Sequence, residues 1–285
     1  MAEPELFTKE ELIKKFKKIK AMGWIENRRH GNAGGVGNTL EDLLGIEENN
    51  LPIPNAAEWE LKSQRGDTTS LTTLFHIEPS PRAAKLVPSI LLLKYGWPHS
   101  DSGTKYPASE MSFRQTISAN MRSDRGFKVI IDKKDRRVAI SFDATSVDSR
   151  HADWIKQVRK KAGPGELSPQ PYWGFDDLEH KAGTKLPNTF YARAEVKREG
   201  GKEYYRYSSV LMLKKFSFEK FLSALEEGKI YVDFDARTGH NHGTKFRVRQ
   251  NCLPELYESA TEVLTQSNKR KFSFSFIDKI RSRRG

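Results

Sequence analysis

The chain has 285 residues, enough for one large domain or two lobes that bury a substantial core. Its formal charge of +12, from 49 Lys plus Arg against 37 Asp plus Glu, points to a polyanionic partner. A single cysteine, Cys252, excludes an internal disulfide, a zinc ribbon or a cysteine-rich finger, and fits a reducing cytoplasm.

No export or membrane insertion is expected. The first residues are acidic with no apolar stretch behind them, and the most apolar run, 90–93, is far too short to cross a bilayer. Thr8, Lys9, Glu10 and Glu11 make a capping box, in which the threonine hydroxyl and the glutamate three residues on each satisfy a backbone N–H at a helix start. Leu12, Ile13, Phe16, Ile19 and Met22 then recur at helical spacing until Gly23, which predicts an amphipathic first helix. Its lysines at 14, 15, 17, 18 and 20 form a solvated face or contacts to phosphate.

The glycine-rich stretch 31–39 lacks the lysine and the leading strand that a phosphate-binding loop requires. Its glycines permit a tight turn, or a close approach to DNA, before a short helix. That helix carries Glu41, either as a first-turn acid behind an Asn38 cap or as a catalytic carboxylate. In the run Pro54, Asn55, Ala56, Ala57, Glu58, Trp59, Glu60, Leu61, Lys62, strand alternation turns Glu58, Glu60 and Lys62 to one side and sends Trp59 and Leu61 into the core. Two carboxylates and an amine are the minimum set for holding a divalent cation against a phosphodiester, because carboxylate oxygens suit magnesium and an ammonium offsets phosphate charge.

Residues 66–70 make a polar connection to a strand at 71–77, and segments 127–131 and 136–142 alternate about a charged turn as a hairpin. Pro164, Gly165, Pro169 and Pro171 predict a boundary between lobes at 163–171. Beyond it, 190–196 and 204–212 flank Gly200 and Gly201 as a second hairpin, 218–225 suits a helix, and 230–234 and 245–248 suit strands. Tyr172, Trp173, Phe175, Tyr204, Tyr205 and Tyr207 stack on unpaired bases or pack within the fold, packing being the commoner use of strand aromatics. His240, Asn241 and His242 are contiguous, which is no sign of an HNH nuclease, and no third metal ligand stands near them. Arg237, Lys245, Arg247 and Arg249 around them favour DNA, since arginine reads guanine bidentately in the major groove; the alternative is a basic loop with solvent-facing charges.

Gly37 to Glu41, Leu44-Gly45-Ile46, Pro54-Asn55 and Trp59-Glu60-Leu61-Lys62-Ser63 follow one another in an order that resembles the PD-(D/E)XK nuclease core of the MvaI/BcnI-like type II restriction endonucleases and their mismatch-repair relative MutH. Gly239 to Arg247 is similar to that family's DNA-recognition segment. The resemblance implies an α/β fold: a PD-(D/E)XK core, a mixed sheet flanked by helices, in a catalytic lobe near 1–162; a linker at 163–171; and a mainly β recognition lobe near 172–285, with DNA in the cleft between. It implies a magnesium-dependent endonuclease acting on double-stranded DNA as a monomer, one strand at a time, at a short CC-N-GG-type site. A bacterial or archaeal cytoplasm and a methyltransferase protecting the same site come with it.

The same resemblance gives Glu41, Asn55 and Glu60 as metal ligands with Lys62 beside them as catalytic residues. It puts His76 and His242 near the central base pair, Arg237 and Arg247 at the flanking G·C pairs, and His240 and Lys245 among the DNA contacts. One position departs from the family: Asn55 stands where the metal-binding aspartate is expected. Three readings stay open, namely ligation by the amide oxygen, substitution by Glu58, or a crippled site that leaves a sequence-specific DNA-binding protein. An RNA-binding or structural basic protein would leave Glu41, Glu60 and Lys62 unexplained.

Overall fold

A computed structural model describes residues 7–27, 29, 34–46, 58–66 and 70–265. In chain order, α1 (Lys9–Ala21), β1 (Ile25–Glu26), α2 (Gly35–Leu44), β2 (Trp59–Arg65) and β3 (Leu71–His76) precede a π-helical stretch, Val87–Leu92, that runs on as α3 (Leu93–Tyr95). Then come β4 (Trp97–Pro98), β5 (Met111–Ile117), β6 (Phe127–Asp132), β7 (Arg137–Phe142), α4 (Ala152–Ala162), β8 (Tyr172–Gly174) and α5 (Phe175–Lys185). The last elements are β9 (Asn188–Glu199), β10 (Lys202–Phe216), α6 (Phe218–Glu226), β11 (Ile230–Arg237), β12 (His240–Asn241), β13 (Lys245–Arg249) and β14 (Tyr257–Leu264).

Local chemistry accounts for the first two helices. Thr8 Oγ1 accepts from the Glu11 N–H at 3.3 Å while the Glu11 carboxylate accepts from the Thr8 N–H at 2.8 Å, closing the expected capping box. Leu12, Phe16 and Ile19 are buried, as their spacing requires. Helix α2 starts earlier than an Asn38 cap would set it: Gly34 is the N-cap, and Asn38 lies inside the helix. Glycine is the cause, because it lets α2 approach the sheet closely. A Cβ on Gly35 would lie 2.7 Å from Tyr205 Oη, and one on Gly37 would lie 3.3 Å from Ser63 Oγ.

Among the described residues, three sheets build the molecule. In the first, the order is β1-β10-β9-β2 with β14 also on β10; β2 runs parallel to β9 and forms an edge. The second runs β3-β13-β11-β5-β4 with β12 on β11, and the third is β6-β7-β8. The predicted hairpins are present as β6–β7 and β9–β10. One core lies between α1, α2 and the first sheet, where Phe190 packs on Phe16 and Trp59 with ring centroids 5.4 and 4.5 Å apart. A larger core joins the second and third sheets to the opposite face of the first through Tyr191 and Leu213.

The expected boundary at 163–171 does not divide the strands. β2 pairs with β9, β3 with β13 and β5 with β11, so both large sheets draw strands from before and after it. The prolines and glycines there mark the connection from α4 to β8, a local property, whereas strand pairing is set by distant residues. Trp173, Phe175, Tyr205 and Tyr207 are all buried, so the aromatics at these positions are packing residues. Among the described residues, no helix is long and apolar enough to cross a membrane.

Candidate active site and nucleic-acid interface

Alternation along β2 sorts its side chains as its sequence demands. Trp59 and Leu61 enter the core beneath α1 and α2, while Glu60, Lys62 and Gln64 face the other way. Glu60 is only 2% exposed, and its two oxygens are held separately: Lys62 Nζ lies 2.7 Å from Oε1 and Lys185 Nζ lies 3.2 Å from Oε2. A buried carboxylate demands such compensation. Thr189, level with Glu60 on the neighbouring strand β9, bonds the Tyr257 hydroxyl at 2.6 Å. Burial, with the Glu60 charge adding to it, pushes that phenol well above its ordinary pKa, so Tyr257 stays protonated. Gln64 is hydrogen-bonded by the Tyr191 hydroxyl, which closes the far end of this polar row.

Helix α2 supplies Glu41. Gly35 lies against Tyr205, which Arg65 reaches at 3.4 Å, and Gly37 lies against Ser63, so the helix runs antiparallel to β2. Glu41 lies one turn beyond Gly37 on this helix, and its charge, with that of Asp42, reaches the Tyr207 hydroxyl. Glu58 precedes β2 in a turn and is exposed, off the strand face that alternation had assigned to it. Asn55 lies outside the described residues.

The polar face of the second sheet is an alternation of cations and carboxylates. Arg247 Nη1 lies 3.2 Å from Asp233 Oδ2, and its Nη2 donates to the Leu71 carbonyl at 3.0 Å. Arg237 pairs with Glu110 at 3.1 Å and stacks on Tyr106 with its guanidinium carbon 4.7 Å from the ring centre. Lys245 sits 3.5 Å from Asp235, whose other oxygen holds Arg114 at 2.8 Å. These cations are therefore partnered rather than free solvent-facing charges. His240 and His242 project from the exposed tip between β11 and β13, their rings 4.2 Å apart, and Gly239 and Gly243 take φ of +69° and +84° to make the turns.

His76 joins the two regions. It ends β3, in register with Lys245, and its accessible ring feels the charges of Lys245, Lys62 and Lys181. Partial burial first, then those three ammonium groups, hold its pKa below the ordinary histidine value. β2 and the expected reading face thus meet around one histidine. No sequence signal marks Lys185, Thr189 or Tyr257, nor the acids Asp233, Asp235 and Glu110 behind the arginines, because each is brought in from another element.

A buried Glu-x-Lys on an edge strand, beside a sheet face of braced arginines, has the parts of a nuclease that reads the DNA it cuts. Residues 13–257 match the MvaI/BcnI restriction endonuclease family, and the chain belongs to it. It is a type II restriction endonuclease, a sequence-specific enzyme of DNA. Its fold is similar to that of the restriction endonuclease MvaI in complex with cognate DNA substrate, at 26% identity and a TM-score of 0.72, covering 90% of this chain and 100% of that one. MvaI in the absence of DNA superposes less well, at 25% identity and a TM-score of 0.51, covering 93% and 100%. No curated protein matches the chain.

Proposed function

We propose that this endonuclease hydrolyses one strand of double-stranded DNA at a time, with magnesium, within a short CC-N-GG-type site. The observation that carries the reading is the Glu60–Lys62 pair at 2.7 Å on an edge strand, within electrostatic reach of His76 on the reading face. The donor chemistry fits a hard divalent cation: Glu60 is a buried carboxylate that carries two ammonium groups, and Glu41 on α2 offers a second carboxylate. Bound magnesium would lower the pKa of its water and screen the phosphate charge. Glu60 holds the site together, and Lys62 presents an ammonium to the phosphodiester where negative charge grows during displacement. Asn55 adds a neutral amide oxygen, or Glu58 swings in to replace it.

Sequence reading falls to the second sheet. Asp233 and Glu110 fix the Arg247 and Arg237 guanidinium planes before DNA arrives, which favours bidentate contacts to guanine at the flanking G·C pairs. His76 and His242 approach the central pair, while His240 and Lys245 contact the duplex beside it. The first sheet with α1 and α2 then acts as the cutting layer and the second as the reading layer. The protein works as a monomer in a bacterial or archaeal cytoplasm, next to a methyltransferase that protects the same site. Incubation with unmethylated phage DNA and magnesium, followed by sequencing of the ends, tests this: ends sharing one CC-N-GG-type sequence support it, and ends at unrelated sequences refute the assigned specificity.

A further inference from the structure

The mechanism above does not use Lys185, yet its amine is one of two on the Glu60 carboxylate. The Lys62 and Lys185 side chains are 16% and 17% exposed, so two ammonium groups share one carboxylate in a nearly dry place. The charges extend to His76, whose protonation Lys245, Lys62 and Lys181 all oppose. Lys181 and Lys185 stand one turn apart on α5 and share a face of it. One helix therefore presents a lysine to the histidine of the reading face and another to the glutamate of the cutting strand. The position of Lys185 at the helix C-terminus, where carbonyl dipoles favour a cation, stabilises it there.

A dication approaching Oε2 meets the Lys185 charge at the same oxygen, and the two repel each other there. On the reading of Glu60 as a metal ligand, we propose that Lys185 is a positioning residue that keeps Oε2 closed to divalent cations until a DNA phosphate draws its ammonium away. Without DNA, Lys185 neutralises the buried carboxylate; with DNA, the phosphodiester takes the ammonium and the dication takes the released oxygen. Metal binding and DNA binding are thereby coupled, and the metal site forms only where there is backbone to cut.

Calcium, a hard oxygen-seeking cation, is the probe, titrated calorimetrically into the full chain. Without DNA, Lys185→Met binds calcium on the order of tenfold more tightly than wild type, while Lys185→Arg, which keeps the charge, stays close to wild type. A duplex carrying the sequence found by end mapping tightens calcium binding to wild type by a similar factor and changes Lys185→Met little. Lys185→Gln replaces the methionine variant if circular dichroism shows the latter unfolded. Equal DNA-free calcium affinity in wild type and the folded neutral variant overturns the proposal. Glu60→Gln separates the two ways of failing: calcium binding undiminished in Glu60→Gln refutes Glu60 as the ligand, whereas loss there with no gain in Lys185→Met refutes the role of Lys185 alone.

Discussion

Lys62 has neighbours of opposite kind, the Glu60 carboxylate at 2.7 Å and the His76 ring whose protonation it opposes. Removing its ammonium takes away stabilisation of the developing phosphate charge more than attraction for the duplex. Lys62→Ala therefore cuts the single-turnover cleavage rate about 100-fold or more, with DNA affinity nearly unchanged; cleavage at the wild-type rate would remove Lys62 from the chemistry. His76 titrates below the ordinary histidine value, from partial burial and then Lys245, Lys62 and Lys181. Its folded pKa lies below its unfolded one, so its contribution to stability is fully present above about pH 6.5 and is lost as pH falls through the depressed value. Proton NMR of the ring checks this, and Lys245→Gln should move the titration upward; no movement would mean that Lys245 does not act on it. Glu60 and Lys62 were legible because a strand has a period of two, and their pairing follows from two residues alone. Lys185 and Tyr257 were not, since they reach Glu60 from α5 and from the start of β14.

Helix α2 shows what glycine does for an element. Alanine normally favours a helix over glycine by about 1 kcal/mol, but at Gly35 a methyl would meet Tyr205 Oη at 2.7 Å and Asn27 Nδ2 at 2.8 Å. Gly35→Ala is expected to destabilise the protein by about 1–3 kcal/mol and to lower cleavage by shifting Glu41. Thermal denaturation and a cleavage assay measure both, and a raised melting temperature with full activity would show that α2 tolerates the shift. Asn38 was a reasonable cap by residue type, yet the glycines before it let the helix begin sooner. Strong local signals were legible: the Thr8 box, the two hairpins and α6 all appear. Helix α4 carries a short apolar stripe in Ile155 and Val158, whereas α5 buries only Phe175, Leu178 and Ala182 and offers little periodicity. Prolines mark turns, so 163–171 reads as a boundary, whereas strand partners lie far along the chain and both large sheets draw strands from either side of it.

At the level of the whole molecule, the proposed reading face holds its arginines on carboxylates, Arg237 on Glu110 and Arg247 on Asp233. If Arg247 reads a base, Arg247→Ala costs about 1–3 kcal/mol on the target duplex and much less on a scrambled one. Equal losses on both, measured by competition binding, would make it a phosphate contact. Asn55 bears on the cutting layer in the same way. Asn55→Asp restores a charged ligand, so magnesium-dependent nicking rises and needs less magnesium if Asn55 occupies the aspartate's place. If Glu58 has taken that place, Glu58→Ala is inactive and Asn55→Asp changes little.

The central claim is that one magnesium-dependent site built on Glu60 and Lys62 cuts DNA at a sequence chosen by the second sheet. Digestion of unmethylated phage DNA by wild type and by Glu60→Gln, with and without magnesium, tests it most directly. Discrete fragments whose ends share one short sequence are expected, formed by wild type only with magnesium and lost in Glu60→Gln. Fragments that persist in Glu60→Gln, or that wild type forms equally well with magnesium chelated, would contradict it.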